Sequence, residues 1–178
     1  MPEELKVFRQ CDLRVGKILE CKKHEGSDKL YVEKIDLGEE GGKIRTILSG
    51  LQEHISIEEM LEGQCMVFAN LKERKLAGIG SEGMVMCGQT KEKGTVELMR
   101  PPKGSKIGER VQLEGDPIFD EPLEQDLQPI LNPKRKIEGK LIDLLKTNEA
   151  CEGTYNGIKL VTGSGVIKCK SVKNGVIA

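Results

Sequence analysis

The sequence predicts a mainly β protein: a small five-stranded barrel followed by an α+β appendage. Three observations carry this. Short runs with alternating or β-branched residues fill the first 115 residues. One helix-start signal interrupts them after the third run. A stretch rich in proline and acid then separates them from a segment with helical spacing. Several short strands with one helix inserted after the third is the order of an OB-fold.

The elements follow in order. Asp12 to Cys21 (DLRVGKILEC) places Leu13, Val15, Lys17 and Leu19 on one face of a strand, with one polar intruder. Leu30 to Leu37 (LYVEKIDL) is a second strand, and Lys43 to Leu51 (KIRTILSGL) a third after the turn signal Glu40-Gly41-Gly42. Ser56 followed by Glu59 is a capping box that opens a short helix toward Leu61, stopped by Gly63. Gln64 to Leu71 (QCMVFANL) and Glu82 to Cys87 (EGMVMC) are further strands joined by a polar loop, and Thr95 to Met99 with Arg110 to Leu113 close the β region. Tyr31 and Phe68 lie within strand runs and are assigned to the core.

Residues 116–136 hold Pro117, Pro122, Pro129 and Pro133 and are excluded as helix interior. Ile137, Leu141, Leu144 and Leu145 then recur at helical spacing, predicting a short amphipathic helix from Ile137 to Lys146. Ile158 to Val172 suggests two strands around Gly163-Ser164-Gly165. The division expected is residues 1–115 for the barrel and 116–178 for the appendage.

Composition bounds the function. Charged residues make up 32% and hydrophobic ones 37%, as in a soluble globular chain. No apolar run approaches the roughly 18 residues of a membrane helix, and Met1 to Gln10 lacks the apolar core of a signal peptide. The six cysteines include no CxxC pair and the two histidines are His24 and His54, so no metal or cofactor is expected and the thiols are those of a reduced, cytoplasmic protein. Motifs for dinucleotides, P-loops, serine nucleophiles and zinc proteases are absent, and Glu39-Glu40 and Glu58-Glu59 sit in a turn and a helix start rather than in a catalytic pair. No catalytic residue is expected.

Net charge is −1, but it is unevenly spread. Glu114, Asp116, Asp120, Glu121, Glu124 and Asp126 form an acidic run without a basic residue. Basic clusters sit at Lys72, Arg74, Lys75, at Lys134, Arg135, Lys136, Lys140, and at Lys168, Lys170, Lys173. The most informative stretch is Asn70 to Cys87 (NLKERKLAGIGSEGMVMC): cations, then glycines that permit close approach of backbone, then a hydroxyl at a strand entry. Lys72, Arg74 and Lys75 suit phosphates, and Asn70 and Ser81 suit sugar or phosphate oxygens.

Here the chain resembles a known family, the tRNA-binding domains of the endothelial monocyte-activating polypeptide II type, found at the C-terminus of some methionyl- and tyrosyl-tRNA synthetases. The likeness runs through Asp12-Leu-Arg-Val-Gly-Lys-Ile18, Lys23-His24, Ser27 to Asp36, Ser49-Gly50-Leu51, Asn70-Leu-Lys72, Lys75, Gly78, Ser81, Met84 to Cys87, Pro101-Pro102, Leu131 to Lys136, Cys151 and Cys169-Lys-Ser171. It implies an OB barrel whose appendage imitates a dimer interface. It also implies tRNA binding by shape and backbone, as an accessory to a synthetase rather than as an enzyme. The candidate site is Asn70, Lys72, Arg74, Lys75, Ser81 and Met84, with Lys17, Lys22, Lys23, Lys134, Arg135 and Lys136 as candidates to extend it if they share its face. The implied partners are tRNA and a synthetase or multi-synthetase complex, with no membrane. Glu73 and Ala77 depart from the family's Pro and Arg, and Glu73 beside phosphates is expected to weaken binding. Aromatics are scarce at 3%, which favours folded RNA read through phosphates and 2′-hydroxyls over base stacking. Two rival readings are an extracellular signal, carried by the segment Arg14 to Glu20, and a protein scaffold.

Overall fold

The computed structural model describes residues 2–116 and 127–178. Pro117, Phe119, Pro122 and the acidic Asp120, Glu121, Glu124 and Asp126 of the connector lie outside the described residues.

The chain opens with α1 (Glu3–Gln10), a helix that no sequence signal predicts. Glu3 and Glu4 in its first turn and Arg9 in its last complement the helix dipole, and Val7 and Phe8 are buried. What buries them lies far along the chain: the Phe8 ring meets Tyr155 at 5.1 Å, and the Tyr155 hydroxyl donates to the Glu4 carbonyl at 2.6 Å. A short polar helix whose partner is some 150 positions away leaves no local signature.

Strands β1 (Leu13–Lys23), β2 (Tyr31–Asp36) and β3 (Ile44–Ser49) form an antiparallel meander. The expected face of β1 holds only for its first half. Leu13 and Val15 are buried, but the register with β2 shifts between Ile18 and Glu20, so Ile18 and Cys21 turn inward and Leu19 is 53% exposed. A bulge adds one residue, and with a period of two that exchanges the faces. At Gly16 an added Cβ meets Leu37, Ile35 and Val67 at 3.0–3.2 Å, so β1 crosses the barrel interior where only a bare backbone fits.

Helix α2 (Ile57–Leu61) starts where expected, with the Ser56 Oγ accepting from the Glu59 amide at 3.2 Å. Then come β4 (Cys65–Phe68), the hairpin strands β5 (Arg74–Leu76) and β6 (Ile79–Ser81), β7 (Met84–Val85), β8 (Cys87–Gln89), β9 (Val96–Leu98) and β10 (Gln112–Leu113). The first sheet runs β3-β2-β1-β4-β7. Backbone bonds from Val15 to Glu109, from Gly108 to Val15 and from Glu82 to Thr46 curl it toward closure, giving the OB-like barrel expected.

The appendage supplies α3 (Ile137–Leu144), β11 (Leu145–Thr147), β12 (Gly153–Tyr155), β13 (Ile158–Thr162), β14 (Gly165–Val166) and β15 (Val176–Ile177). The strands flanking Gly163-Ser164-Gly165 are those expected. The helix ends at Leu144, because Leu145 already belongs to a strand paired with β12. The second sheet runs β10-β13-β12-β11-β15-β8-β9, with β14 on β13, so hydrogen bonding is continuous from barrel strands through the appendage.

This explains why β4 is buried at every position. Cys65 and Val67 face the barrel core with Ile18, Ile35, Ile47 and Val85. Met66 and Phe68 face a second core with Met86, Met99, Leu141, Leu160 and Ile177. A continuous apolar run is the mark of a strand covered on both faces. All six cysteines are free and buried, and burial pushes the Cys65 thiol up to about 12. Tyr31 and Phe68 are in the core, as expected. Among the described residues, no helix is long and apolar enough to cross a membrane.

Candidate nucleic-acid interface

The loop between β4 and β7 folds into the β5–β6 ribbon, with Arg74 opposite Ser81, Lys75 opposite Gly80 and Leu76 opposite Ile79. Its turn is Ala77-Gly78, with φ of 47° and 85°. Two successive positive values match the right-handed twist of a two-residue hairpin, and glycine takes the second without cost. Lys72, Glu73, Arg74 and Lys75 are all exposed, and none of these cations is in an ion pair among the described residues. Alternation along β5 sends Arg74 and Lys75 to opposite faces of the ribbon.

The ribbon is held at its base by polar groups, one of which, Ser81, the sequence points toward RNA. Arg45 on β3 donates through Nη1 to the carbonyls of Ala69 (2.5 Å) and Glu82 (2.9 Å), one on each side of the ribbon. Glu39 grips the same guanidinium at 2.5 and 3.1 Å, and that hydrogen bonding holds the Glu39 carboxyl below the usual range. Ser81 is 5% exposed; its Oγ accepts from the Leu48 amide at 3.0 Å and donates to the Gly83 carbonyl at 3.1 Å. At the tip, the His24 Nδ1 accepts from the Gly26 amide at 2.9 Å. This leaves Nε2 as the ring donor, 3.0 Å from the Ala77 carbonyl. The contacts of Arg45 and His24 with the ribbon carry no local sequence signal, since each lies outside the loop it secures.

Asn70, expected at the RNA, is likewise spent inside the protein. It is 3% exposed, its Oδ1 accepts from the Asp12 amide at 2.9 Å, and its Nδ2 donates to the Gln10 and Gln128 carbonyls at 2.8 Å. Every group of its amide that was available for sugar or phosphate is used to join α1, β1 and the appendage. Asn70→Ala strands the buried Asp12 amide and is expected to cost about 2 kcal/mol of stability while leaving the salt dependence of RNA binding unchanged. Urea unfolding alongside a salt titration checks this; a slope reduced at unchanged stability would put Asn70 on the RNA. Met84 is half-buried against the second core and offers little outward surface.

The other basic residues divide by place. Lys17 Nζ donates to the Leu61 and Gly63 carbonyls at 2.8 and 2.9 Å, covering the end of α2 rather than meeting RNA. Lys22 and Lys23 border the ribbon tip with His24 and Ile79, although Lys22 is paired with Glu20 at 2.8 Å. The Asn132 Oδ1 accepts from the Lys134 amide at 3.0 Å and shapes a single 3-10 turn, Pro133–Arg135. Lys136 follows in the left-handed region at φ 56° and lines one cleft of about 600 Å³ with Lys72 and Arg74. Arg135 faces a separate depression beside Gln10 and Ile130. Two basic clusters some sixty positions apart thus meet at this cleft through Lys136.

Glu73 lies over Gly80, where an added Cβ would come within 3.0 Å of its carboxyl carbon. Gly80 is opposite Lys75, so the carboxylate shares the face of that cation. Glu73→Gln is expected to tighten RNA binding about two- to fivefold at low salt, an advantage that fades as salt rises. Equal affinities at low salt would remove Glu73 from the interface.

The segment Arg14 to Glu20 is part of the barrel wall. Val15, Gly16 and Ile18 are buried, and Arg14 is bound to Asp12 and to the Gly108 carbonyl. Among the described residues, no cluster of His, Cys, Asp and Glu suits a metal ion.

Residues 13–110 match the family described as "Putative tRNA binding domain". The chain is 41% identical over 166 residues to the cytoplasmic methionine–tRNA ligase of Arabidopsis thaliana, covering 93% of this chain and 20% of that protein. It is 40% identical over 167 residues to the aminoacyl tRNA synthase complex-interacting multifunctional protein 1 of Mus musculus, covering 93% and 50%. The C-terminal domain of Plasmodium vivax p43 superposes with a TM-score of 0.84 at 31% identity, covering 96% of this chain and 98% of that one. This chain therefore spans a fifth to a half of the length of these curated relatives.

Proposed function

The chain belongs to the putative tRNA-binding domain family, and from that premise we propose that it binds tRNA through the β5–β6 ribbon as an accessory module of an aminoacyl-tRNA synthetase. The observation that carries this is the ribbon itself. It presents Lys72, Arg74 and Lys75 to solvent while Arg45, Asn70, Ser81 and His24 fix its base and tip. Fixed cations on a rigid ribbon neutralise phosphates at low entropic cost and read the shape of a folded RNA rather than its sequence.

The module contributes no aminoacylation chemistry of its own. Tethered or bound to a methionyl or tyrosyl enzyme in the cytoplasm, it holds tRNA at an effective concentration that reaches the millimolar range for short linkers. The appendage that contains α3 and β11–β15 imitates a dimer interface in this reading. The sheet that runs from β8 through β15 into the appendage supports that reading.

An electrophoretic shift with unfractionated tRNA at several salt concentrations, with a random single strand as competitor, tests the proposal. With about four to six phosphates engaged, log affinity falls against log salt with a slope of roughly −3 to −5, and the single strand does not compete. No binding at about 50 mM salt, where electrostatics are strong, would sink it in favour of a scaffold.

A further inference from the structure

The cleft of about 600 Å³ between the ribbon and α3 is within the size range of small-molecule sites, and salt-steered phosphate contacts alone do not require a cavity. Its walls differ in character. Lys72 and Arg74 stand on the ribbon side with Glu73 between them and Lys136 at the start of α3, while Leu71, Leu131 and Ile142 supply an aliphatic floor. Glu138 and Asp143 lie along the helix beyond Lys136. A wholly acidic ligand gains from the cations and loses to these carboxylates, and an apolar ligand leaves the cations unanswered. A nucleotide answers all three walls: phosphate for the cations, a flat base for the floor, and exocyclic amines to donate to the carboxylates.

We propose that this cleft takes one unpaired nucleotide of a structured RNA, with its phosphate against Lys72, Arg74 and Lys136 and its base against the aliphatic floor. This rests on the RNA-binding reading above and names the part of the RNA that the site takes. The aromatic inventory points the same way. Phe8, Tyr31, Phe68 and Tyr155 are each no more than 2% exposed, so a base on the described surface meets aliphatic side chains. One cleft accommodates one base, which excludes a long single strand that needs successive platforms. A nucleotide that is already unpaired costs least to take out of a stack.

Gly139 gives a clean test. It lines the cleft from α3, and an added Cβ there meets nothing within 4 Å. Gly139→Phe therefore adds bulk at the cleft's α3 wall with no clash at Cβ, and removing a helical glycine favours α3. The probes are a fully paired RNA hairpin and the same hairpin with a single bulged adenosine, each titrated by fluorescence anisotropy. Wild type is expected to favour the bulged RNA by about fivefold, near the low end of what a base contact on an aromatic gives, because the floor is aliphatic. Gly139→Phe is expected to abolish that preference while keeping the affinity and salt slope for the paired hairpin. Lys136→Asn keeps a residue that tolerates the left-handed region and is expected to lower the slope by about one for the bulged RNA only. Equal wild-type affinity for the two hairpins overturns the inference and leaves the RNA-binding reading standing, as does a preference that survives Gly139→Phe. Binding to neither hairpin while tRNA still binds overturns the inference alone, and loss of tRNA binding as well overturns both.

Discussion

Replacing Lys72, Arg74 and Lys75 together with alanine is expected to lower tRNA affinity by about a hundredfold near 100 mM salt and to reduce the salt slope by about three. The three side chains are exposed and make no ion pair among the described residues, so their removal takes nothing from the fold. The ribbon persists because its pairing is backbone and its anchors lie elsewhere, at Arg45 and Ser81. Separating the variants adds information, because Lys72 and Arg74 line the cleft and Lys75 lies on the opposite face. Each is expected to remove about one unit of slope if the RNA wraps both faces. An RNA that uses one face leaves Lys75→Ala with the wild-type slope. Unchanged slope in the triple variant would take the ribbon out of the interface altogether.

Glu33→Gln is expected to remove most of the pH dependence of stability between about pH 4.5 and 8. Glu33 is fully buried in the barrel; its Oε1 accepts from the Ser49 hydroxyl at 2.5 Å, and Oε2 has no partner among the described residues. Burial pushes its carboxyl up to about 8, against the lowering effect of the Ser49 bond. The sign follows from linkage. The unfolded chain releases this proton near the ordinary carboxylate value, whereas the native state keeps it until the higher one. Stability from this group is therefore fully present below the unfolded value and is lost as pH rises through the window, at about 1.4 kcal/mol per unit in mid-range. A glutamine cannot ionise, so at pH 8 the variant is expected to exceed wild type by about 4 kcal/mol. Urea unfolding from pH 5 to 9 measures this, and parallel profiles for the two proteins would show that Glu33 is charged or solvated in the barrel.

Much of the barrel is legible along the chain because its signals are local. The Ser56–Glu59 cap, the turn at Glu40-Gly41-Gly42 and the continuous apolar run of β4 each depend on neighbours within a few positions. Where packing decides, the reading fails. Leu19 turns outward because of a bulge whose cause is the pairing with β2, and α1 exists because Tyr155 and the appendage cover it. The candidate site divides in the same way. The cations of the ribbon are exposed, as charged side chains tend to be, whereas Asn70 and Ser81 are polar residues of the same loop spent inside. Sequence does not distinguish a polar group that awaits a ligand from one already satisfied, since both need only a partner.

By itself, then, the sequence determined a β barrel with one inserted helix, a following appendage, the absence of catalytic motifs, and a basic loop of the kind that meets phosphate. Tertiary structure alone decided that the appendage completes the barrel's second sheet, that Arg45 and His24 hold the ribbon, and that Lys136 joins Lys72 and Arg74 across a cleft. Periodicity, caps and turns are written in residues a few positions apart. Convergence and burial depend on residues that the chain keeps far apart until the hydrophobic cores on the two faces of β4 bring them together.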